Sequence, residues 1–115
     1  MDLDDYQQAA LRTINPALGP RDRLLDAGAG LAEEASEVLG LIRKRLLQER
    51  TVPDGRFVEE LGDALWCLAV TAHELGIRLS HVAEINQAKL ASRHPAGFQP
   101  HDQRGPESWS RSSKE

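Results

Sequence analysis

Residues 31–46, LAEEASEVLGLIRKRL, and residues 60–75, ELGDALWCLAVTAHEL, share one arrangement: two acids three positions apart beside a stripe of apolar residues. The acids are Glu34 and Glu37 in the first segment and Glu60 and Asp63 in the second. An α-helix turns by about 100° per residue, so the members of each pair lie within roughly 60° of one another on the helix surface. The pattern predicts two amphipathic helices, each with an anionic patch at the edge of its apolar stripe.

The stripes predict how these two helices pack. The first stripe consists of Leu31, Ala35, Val38, Leu39, Ile42 and Leu46, and the second of Leu61, Leu65, Leu68, Ala72 and Leu75. Because the acids border both stripes on the same side, packing through the stripes would bring four carboxylates together. Like charges at short range and reduced dielectric constant repel strongly unless a cation joins them. The acids therefore form either a divalent cation site or two ordinary solvated helix faces.

Composition indicates a small helical protein. The 115 residues are 40% hydrophobic but only 4% aromatic, so the core is built from Leu, Ala and Val, which favours helices over sheets. A core this small leaves apolar surface for a partner to cover, so we expect an all-α subunit of a homodimer or homotetramer. The formal net charge of −4 argues against binding to duplex nucleic acid.

Cysteine usage and the amino terminus predict a cytoplasmic location. Cys67 is the single cysteine and cannot form an intrachain disulfide, which suits a reducing compartment. The acidic start, MDLDD, has the wrong charge for a secretory signal, and the chain contains no apolar run of about 18 residues that would span a membrane.

Two helices are predicted before residue 51. The first begins near Asp2 or Asp4, both suited to an N-cap, and ends at Asn15, which precedes a proline. The second begins at Pro20, which is tolerated in a first helical turn, and continues to about Arg50.

Two glycines lie early in this second helix. Gly28 and Gly30 should each cost on the order of 1 kcal/mol relative to alanine. A bend, a helix start delayed to Leu31, or the close approach of another helix would each explain them.

The turn-forming segment 51–55, TVPDG, connects to a third helix. This helix is predicted from about Arg56 to Leu75, with Gly76 as its C-cap glycine. A connection this short makes the second and third helices antiparallel neighbours.

A fourth helix is predicted from Leu79 or Ser80 to about Arg93, with Ser80 as its N-cap. The helical part of the chain is expected to form one domain over residues 1–98. Residues 99–115 consist mostly of Ser, Gln, Pro and charged residues, and we expect a flexible polar tail there.

Three motifs occur in order along the chain. They are GLAEEASEV at residues 30–38, ELGDALW at residues 60–66, and a final segment with Asn86, Lys89 and Arg93 followed by HPAGF. Their succession resembles the MazG-like all-α nucleoside triphosphate pyrophosphohydrolases over about residues 6–98. That family is marked by Glu-x-x-Glu, a spacer, Glu-x-x-Asp, and a Lys and an Arg on the last helix of its bundle.

The resemblance implies a four-helix-bundle subunit that cleaves standard or modified (deoxy)nucleoside triphosphates between the α and β phosphates. The products would be a monophosphate and pyrophosphate, in a house-cleaning reaction that depends on Mg²⁺, with Mn²⁺ as a substitute. The residue chemistry agrees, because four acids without a convergent His or Cys suit Mg²⁺ better than zinc.

The resemblance also implies site residues. Its metal-binding positions are Glu34, Glu37, Glu60 and Asp63, and Glu33 or Glu34 is the candidate general base. Alone, the first pair would more simply be a solvated helix face. The second pair and the basic residues downstream favour a site.

Candidate substrate-binding residues are Lys44, Trp66, Asn86, Lys89 and Arg93. Lys89 and Arg93 are four residues apart and share a helix face, so both can bind phosphate oxygens, although a solvated basic edge explains them nearly as well. Lys44 also suits the negative end of a helix dipole. Asn86 is equally explained as a surface amide, and Trp66 is better explained by a subunit interface than by stacking on a base.

Two alternatives stay open. A phosphoribosyl-ATP pyrophosphohydrolase also carries paired acids on helices but matches the final segment less well. A non-catalytic helical oligomer would use the acids to hold a structural ion or to bind a basic partner.

Overall fold

Four helices make up the described part of the chain. The computed structural model describes residues 1–100, with α1 at Leu3–Leu11, α2 at Pro20–Leu46, α3 at Asp54–Glu74 and α4 at Leu79–Arg93. These residues contain no β-strand, so the predicted all-α class is confirmed. Most of the predicted tail, residues 101–115, lies outside the described residues. The chain divides into two compact units, Met1–Val82 and Ala83–Glu115.

Helix α1 begins as predicted and ends earlier than expected. Asp2 is the N-cap, and it forms a capping box in which its side chain accepts the Asp5 N–H while the Asp5 side chain accepts the Asp2 N–H. The helix ends at Leu11 and not near Asn15. The Thr13 N–H and hydroxyl both donate to the Ala10 carbonyl, at 3.0 and 2.7 Å, and so bond a carbonyl of the last helical turn.

Helix α2 runs unbroken through both glycines. A Cβ atom built on Gly30 would lie 2.9 Å from Sγ of Cys67 in α3, whereas one on Gly28 would meet nothing within 4 Å. The close approach of another helix therefore explains Gly30, and the delayed start at Leu31 is wrong. The helix ends at Leu46, before the predicted Arg50.

The connection between α2 and α3 is held by one arginine. Arg45 donates to the Val52 carbonyl, forms an ion pair with Asp54 at 2.9 Å, and places its guanidinium carbon 4.4 Å from the centre of the Phe57 ring. These contacts fix the entry into α3, which begins two residues before the predicted Arg56.

Helix α3 ends at the predicted glycine. Gly76 has φ of +74°, a conformation that side chains with a Cβ disfavour. The Gly76 N–H donates to the His73 carbonyl and the Ile77 N–H to the Ala72 carbonyl, both at 2.8 Å. This pair of bonds is a Schellman motif, so the prediction of a glycine C-cap at Gly76 is confirmed.

Helix α1 supplies hydrogen-bond acceptors to the start of α4. Helix α4 begins at Leu79, so Ser80 lies inside its first turn and the prediction of Ser80 as N-cap is wrong. The Ser80 N–H and hydroxyl both donate to the Asp4 carboxylate, at 3.0 and 2.7 Å. The free Ser80 N–H at this helix start is thus satisfied by a distant carboxylate, which local sequence does not reveal.

A buried amide joins three segments of the first unit. Gln7 is 3% exposed, and its Nε2 donates to the Ala69 carbonyl at 3.0 Å and the Ile77 carbonyl at 3.1 Å. Its Oε1 accepts the Leu79 N–H at 2.9 Å. The adjoining core consists of Ala10, Ala69 and Leu79, with Tyr6 and Trp66 packed against it.

The larger side chains of the predicted stripes are not buried within the chain. Leu61 is 55% exposed, Leu65 39% and Leu75 57%, and the stripe of α2 is exposed in the same way at Leu39 and Leu46. The buried positions of the two helices are mostly smaller: Ala27, Leu41, Cys67, Ala69, Val70 and Ala72. The expectation that α2 and α3 pack through the stripes is met only in part. Ala72 is buried, and Leu31 of α2 lines an apolar hollow with Leu68 and Leu75 of α3, whereas the other leucines of the stripes are exposed.

No helix within residues 1–100 combines the length and the apolar character that crossing a bilayer requires.

Candidate metal centre

Three acids from two helices converge between α2 and α3. Glu34 of α2 and Glu60 and Asp63 of α3 each place one carboxylate oxygen within 4.8 Å of the others. We call these three residues the acidic trio. Glu60 and Asp63 are one turn apart on α3, and the close contact of Gly30 with Cys67 brings α2 alongside them. The trio contains three of the four acids expected to meet.

The environment of Glu34 is unfavourable for an isolated carboxylate. Its Oε2 atom is buried and has no hydrogen-bond partner. A hydrogen bond shared with the Glu60 carboxyl, burial, and the charges of Asp63, Glu60 and Glu37 raise the pKa of Glu34 to about 7. A cation bound to the trio would supply the missing partner for Oε2 and relieve this repulsion. Oxygen ligands of this kind fit Mg²⁺.

Two further acids on α2 lie outside the trio. Glu37 is exposed and is not among the oxygens that converge, although its charge contributes to the raised pKa of Glu34. Glu33 is exposed as well. Neither residue is held by an ion pair within residues 1–100. Their roles as metal ligand and general base stay predictions.

Within residues 1–100, one basic side chain forms an ion pair with the trio. Arg56 lies one turn before Glu60, and its Nη2 is 3.6 Å from Glu60 Oε1. The Arg56 side chain is 53% exposed and that of Glu60 only 15%. Arg56 is not among the predicted site residues, although its spacing of four residues from Glu60 is typical of an ion pair on one helix face.

Trp66 has contacts within its own chain. Its indole N–H donates to the Thr13 hydroxyl at 2.7 Å, and its ring packs against the core beside Ala10 and Ala69. These contacts give Trp66 a role in holding the end of α1 against α3. Its predicted contact with substrate stays a prediction.

Lys44 lines a hollow of about 240 Å³ near the connection between α2 and α3, together with Arg50 and Arg56. In the second unit, Lys89 and Arg93 line a hollow of about 330 Å³ with Ile85 and Ser92. The expected sharing of one helix face by Lys89 and Arg93 is therefore seen.

Asn86 is exposed on the same helix, α4. Its predicted contact with substrate stays a prediction, as do those of Lys44, Lys89 and Arg93.

Comparison with known proteins identifies the class. The MazG nucleotide pyrophosphohydrolase domain matches residues 24–98, which include the acidic trio, its neighbours on α2 and the basic residues of α4. The match extends over more than half of the 115 residues, and the chain belongs to this family.

One curated relative is a protein of a bacterial virus. The chain is 34% identical to the "Gene 37 protein" of Mycobacterium phage L5 over 109 residues, an alignment that covers 84% of this chain and 92% of the relative. No solved structure matches the chain.

Proposed function

We propose that the protein is a Mg²⁺-dependent pyrophosphohydrolase that cleaves standard or modified (deoxy)nucleoside triphosphates to monophosphate and pyrophosphate. The observation that carries this proposal is the acidic trio, whose buried Glu34 Oε2 lacks a partner. Membership of the MazG nucleotide pyrophosphohydrolase family supports the same reaction class.

The residues of the trio would hold the ion. Glu34, Glu60 and Asp63 supply hard oxygen ligands, and Glu37 can reach the same ion through water because Mg²⁺ in proteins usually keeps several waters. When bound, Mg²⁺ neutralises phosphate charge and lowers the pKa of a coordinated water. Mn²⁺, with similar ligand preferences, would substitute.

The chain's own groups then serve the hydrolysis. A water oxygen bonds to the α-phosphorus, the bond from that phosphorus to the bridging oxygen breaks, and pyrophosphate leaves with the bridging oxygen and the electron pair. Glu33 or Glu34 accepts the proton of the water. Lys89 and Arg93 bind phosphate oxygens, while Asn86 and Trp66 contact the nucleoside.

The functional form is proposed to be a homodimer or homotetramer in the cytoplasm. The exposed leucines of α2 and α3, among them Leu39 and Leu61, would be covered by a second copy of the chain. Duplex nucleic acid is not an expected partner, given the net charge of −4, and a membrane is not expected because the sequence has no apolar run of about 18 residues.

The test is a substrate panel with product analysis. Purified protein with Mg²⁺ is incubated with standard and modified nucleoside triphosphates and with phosphoribosyl-ATP, and the products are separated by chromatography. We expect monophosphate and pyrophosphate from at least one triphosphate. If only phosphoribosyl-ATP is cleaved, the protein is a phosphoribosyl-ATP pyrophosphohydrolase. If the products are a diphosphate and phosphate, cleavage between the α and β phosphates is contradicted.

Substitutions in the acidic trio test its role in catalysis. Asp63→Asn and Glu60→Gln should each lower kcat by at least about 100-fold, because the ion loses a charged ligand. Glu59→Gln removes the same charge from the exposed residue next to Glu60 and should retain activity. Circular dichroism checks that each variant is folded. Inactivity of the wild type on every nucleotide across a broad metal screen would favour a non-catalytic oligomer instead.

A further inference from the structure

A basic hollow lies next to the acidic trio, and of its basic residues only Lys44 has been named so far as a candidate substrate-binding residue. Lys44 at the end of α2, Arg50 in the following connection and Arg56 in the first turns of α3 line it, over a base formed by Leu41 and Val52. Its volume is about 240 Å³. We call it the basic hollow.

The charge of this hollow is largely unbalanced. No carboxylate within residues 1–100 forms an ion pair with Lys44 or Arg50. The neighbouring Arg45 differs, since it is engaged by Asp54 and by the Val52 carbonyl and holds the connection together. Three cations around one concave surface create a positive potential that favours a polyanion.

The basic hollow adjoins the acidic trio through Arg56. This residue lines the hollow and also lies 3.6 Å from Glu60, so the two sites share a boundary. On α2, Lys44 follows Glu37 by seven residues, which puts the two on one helix face about 10 Å apart. The seam between α2 and α3 therefore runs from an acidic region into a basic one.

We propose that the basic hollow binds the β and γ phosphates of the substrate, the part that leaves as pyrophosphate. This inference rests on the proposed function and adds Arg50 and Arg56 to the substrate-binding residues. If the α-phosphate lies at the acidic trio, the β and γ phosphates extend toward Arg56, Lys44 and Arg50. The leaving pyrophosphate carries away the bridging oxygen with its electron pair, and the cations of the hollow stabilise that charge.

The arrangement gives selectivity for triphosphates. A diphosphate or monophosphate held at the acidic trio would not fill the hollow and would leave its cations without a partner. Pyrophosphate should accordingly be a stronger product inhibitor than the monophosphate.

The test measures binding of inorganic tripolyphosphate by isothermal titration calorimetry, with and without Mg²⁺. Lys44→Gln and Arg50→Gln should each weaken this binding about tenfold, the size expected for one lost charge-assisted contact. In kinetics, both variants should raise the inhibition constant of pyrophosphate by a similar factor. Arg50→Lys keeps the charge and should restore most of the affinity.

Arg43→Gln is the matched control, because Arg43 is exposed on the same helix and does not line the hollow. If Lys44→Gln and Arg50→Gln bind tripolyphosphate as tightly as Arg43→Gln does, the inference is overturned even when the enzyme is active. If the wild type binds tripolyphosphate through these residues but hydrolyses no nucleotide, the hollow stands as a polyphosphate site and the proposed function fails.

Discussion

At the scale of single residues, Glu34 is the most unusual group in the chain. Its carboxyl shares a hydrogen bond with Glu60 and faces the charge of Asp63, while one of its oxygens is buried without a partner. Such a group binds a proton more tightly in the folded state than in the unfolded state. Its protonation therefore links stability, pH and cation binding.

The raised pKa of Glu34 predicts a decrease in stability with rising pH when no metal is present. The pKa increases from 4.5 in the unfolded chain to about 7 in the folded protein, so between these values the folded state holds more protons. The stabilisation from this proton is complete below the lower value and is lost as pH rises through the higher one. Thermal unfolding in a chelator, from about pH 5 to about pH 8, should show a falling Tm.

Variants distinguish the effect of Glu34 titration on Tm from the effects of other titrating groups. Glu34→Gln, which is neutral at every pH, should flatten the dependence, whereas Glu33→Gln on the neighbouring exposed residue should keep it. Added Mg²⁺ competes with the proton, so the increase in Tm that Mg²⁺ produces should become larger as pH rises. An unchanged slope in Glu34→Gln would show that another group is responsible.

At the scale of elements, the packing of α2 on α3 depends on one glycine. The space in front of Gly30 is taken by Sγ of Cys67, and the space in front of Gly28 is open. Burial is the largest of the influences that raise the pKa of the Cys67 thiol, as expected for a neutral side chain held in this contact. The contact between Gly30 and Cys67 fixes the rotation of α2 about its own axis, and this rotation places Glu34 opposite Glu60.

Alanine substitutions at these two glycines should act in opposite directions. Gly28→Ala should raise the free energy of unfolding by about 0.5–1 kcal/mol, the difference in helix propensity. Gly30→Ala should lower it by about 1 kcal/mol or more, because overpacking outweighs propensity. Denaturant unfolding measures both changes.

A double variant tests whether the Cys67 sulfur causes the loss of stability expected for Gly30→Ala. Cys67→Ala removes the sulfur that the new methyl group would meet, so the cost of Gly30→Ala should shrink by about 1 kcal/mol in that background. A Gly30→Ala protein as stable as Gly28→Ala would contradict the close contact.

The joining of α1 to the end of α3 and the start of α4 depends on Gln7. Gln7→Ala leaves two carbonyls and one N–H without their partner and should lower the free energy of unfolding by about 2–3 kcal/mol. Gln8→Ala, on the exposed side of the same helix, should change it by less than about 0.5 kcal/mol. Equal effects of the two substitutions in chemical denaturation would show that the buried amide is not a structural link.

At the scale of the whole molecule, α2 and α3 expose a series of leucines, among them Leu39, Leu61 and Leu65. Exposed apolar side chains on adjacent helices are typical of surfaces that another copy covers. The fold therefore presents its acidic trio next to a surface that a partner subunit would occupy.

Replacing one of these leucines should change the state of association. We expect sedimentation velocity to give a dimer or tetramer for the wild type and a smaller species for Leu65→Asp, since a charge in an apolar interface is costly. Leu47→Asp, at the C-cap of α2 and 76% exposed, is the control and should leave the mass unchanged. A wild-type monomer at micromolar concentration would refute the proposed oligomer.

The sequence by itself determined the four helices, most of their ends and the two acidic pairs. Capping by Asp2, the glycine stop at Gly76 and the period of the apolar residues are local properties, and local chemistry is readable from neighbouring residues. The sequence did not determine the end of α1 or the cap of α4. The N–H of Ser80 in α4 donates to the Asp4 carboxylate, which lies 76 positions away along the chain.

Only the tertiary structure decided which acids meet and which apolar residues are buried. The rotation of α2 against α3 is fixed by the contact of Gly30 with Cys67, and it brings Glu34 to Glu60 and Asp63 while Glu37 stays outside the trio. The same rotation leaves most of the leucines in the stripes exposed. A helical period gives the angle of each side chain about its own axis, but the angle between two helices depends on side-chain shapes at their contact.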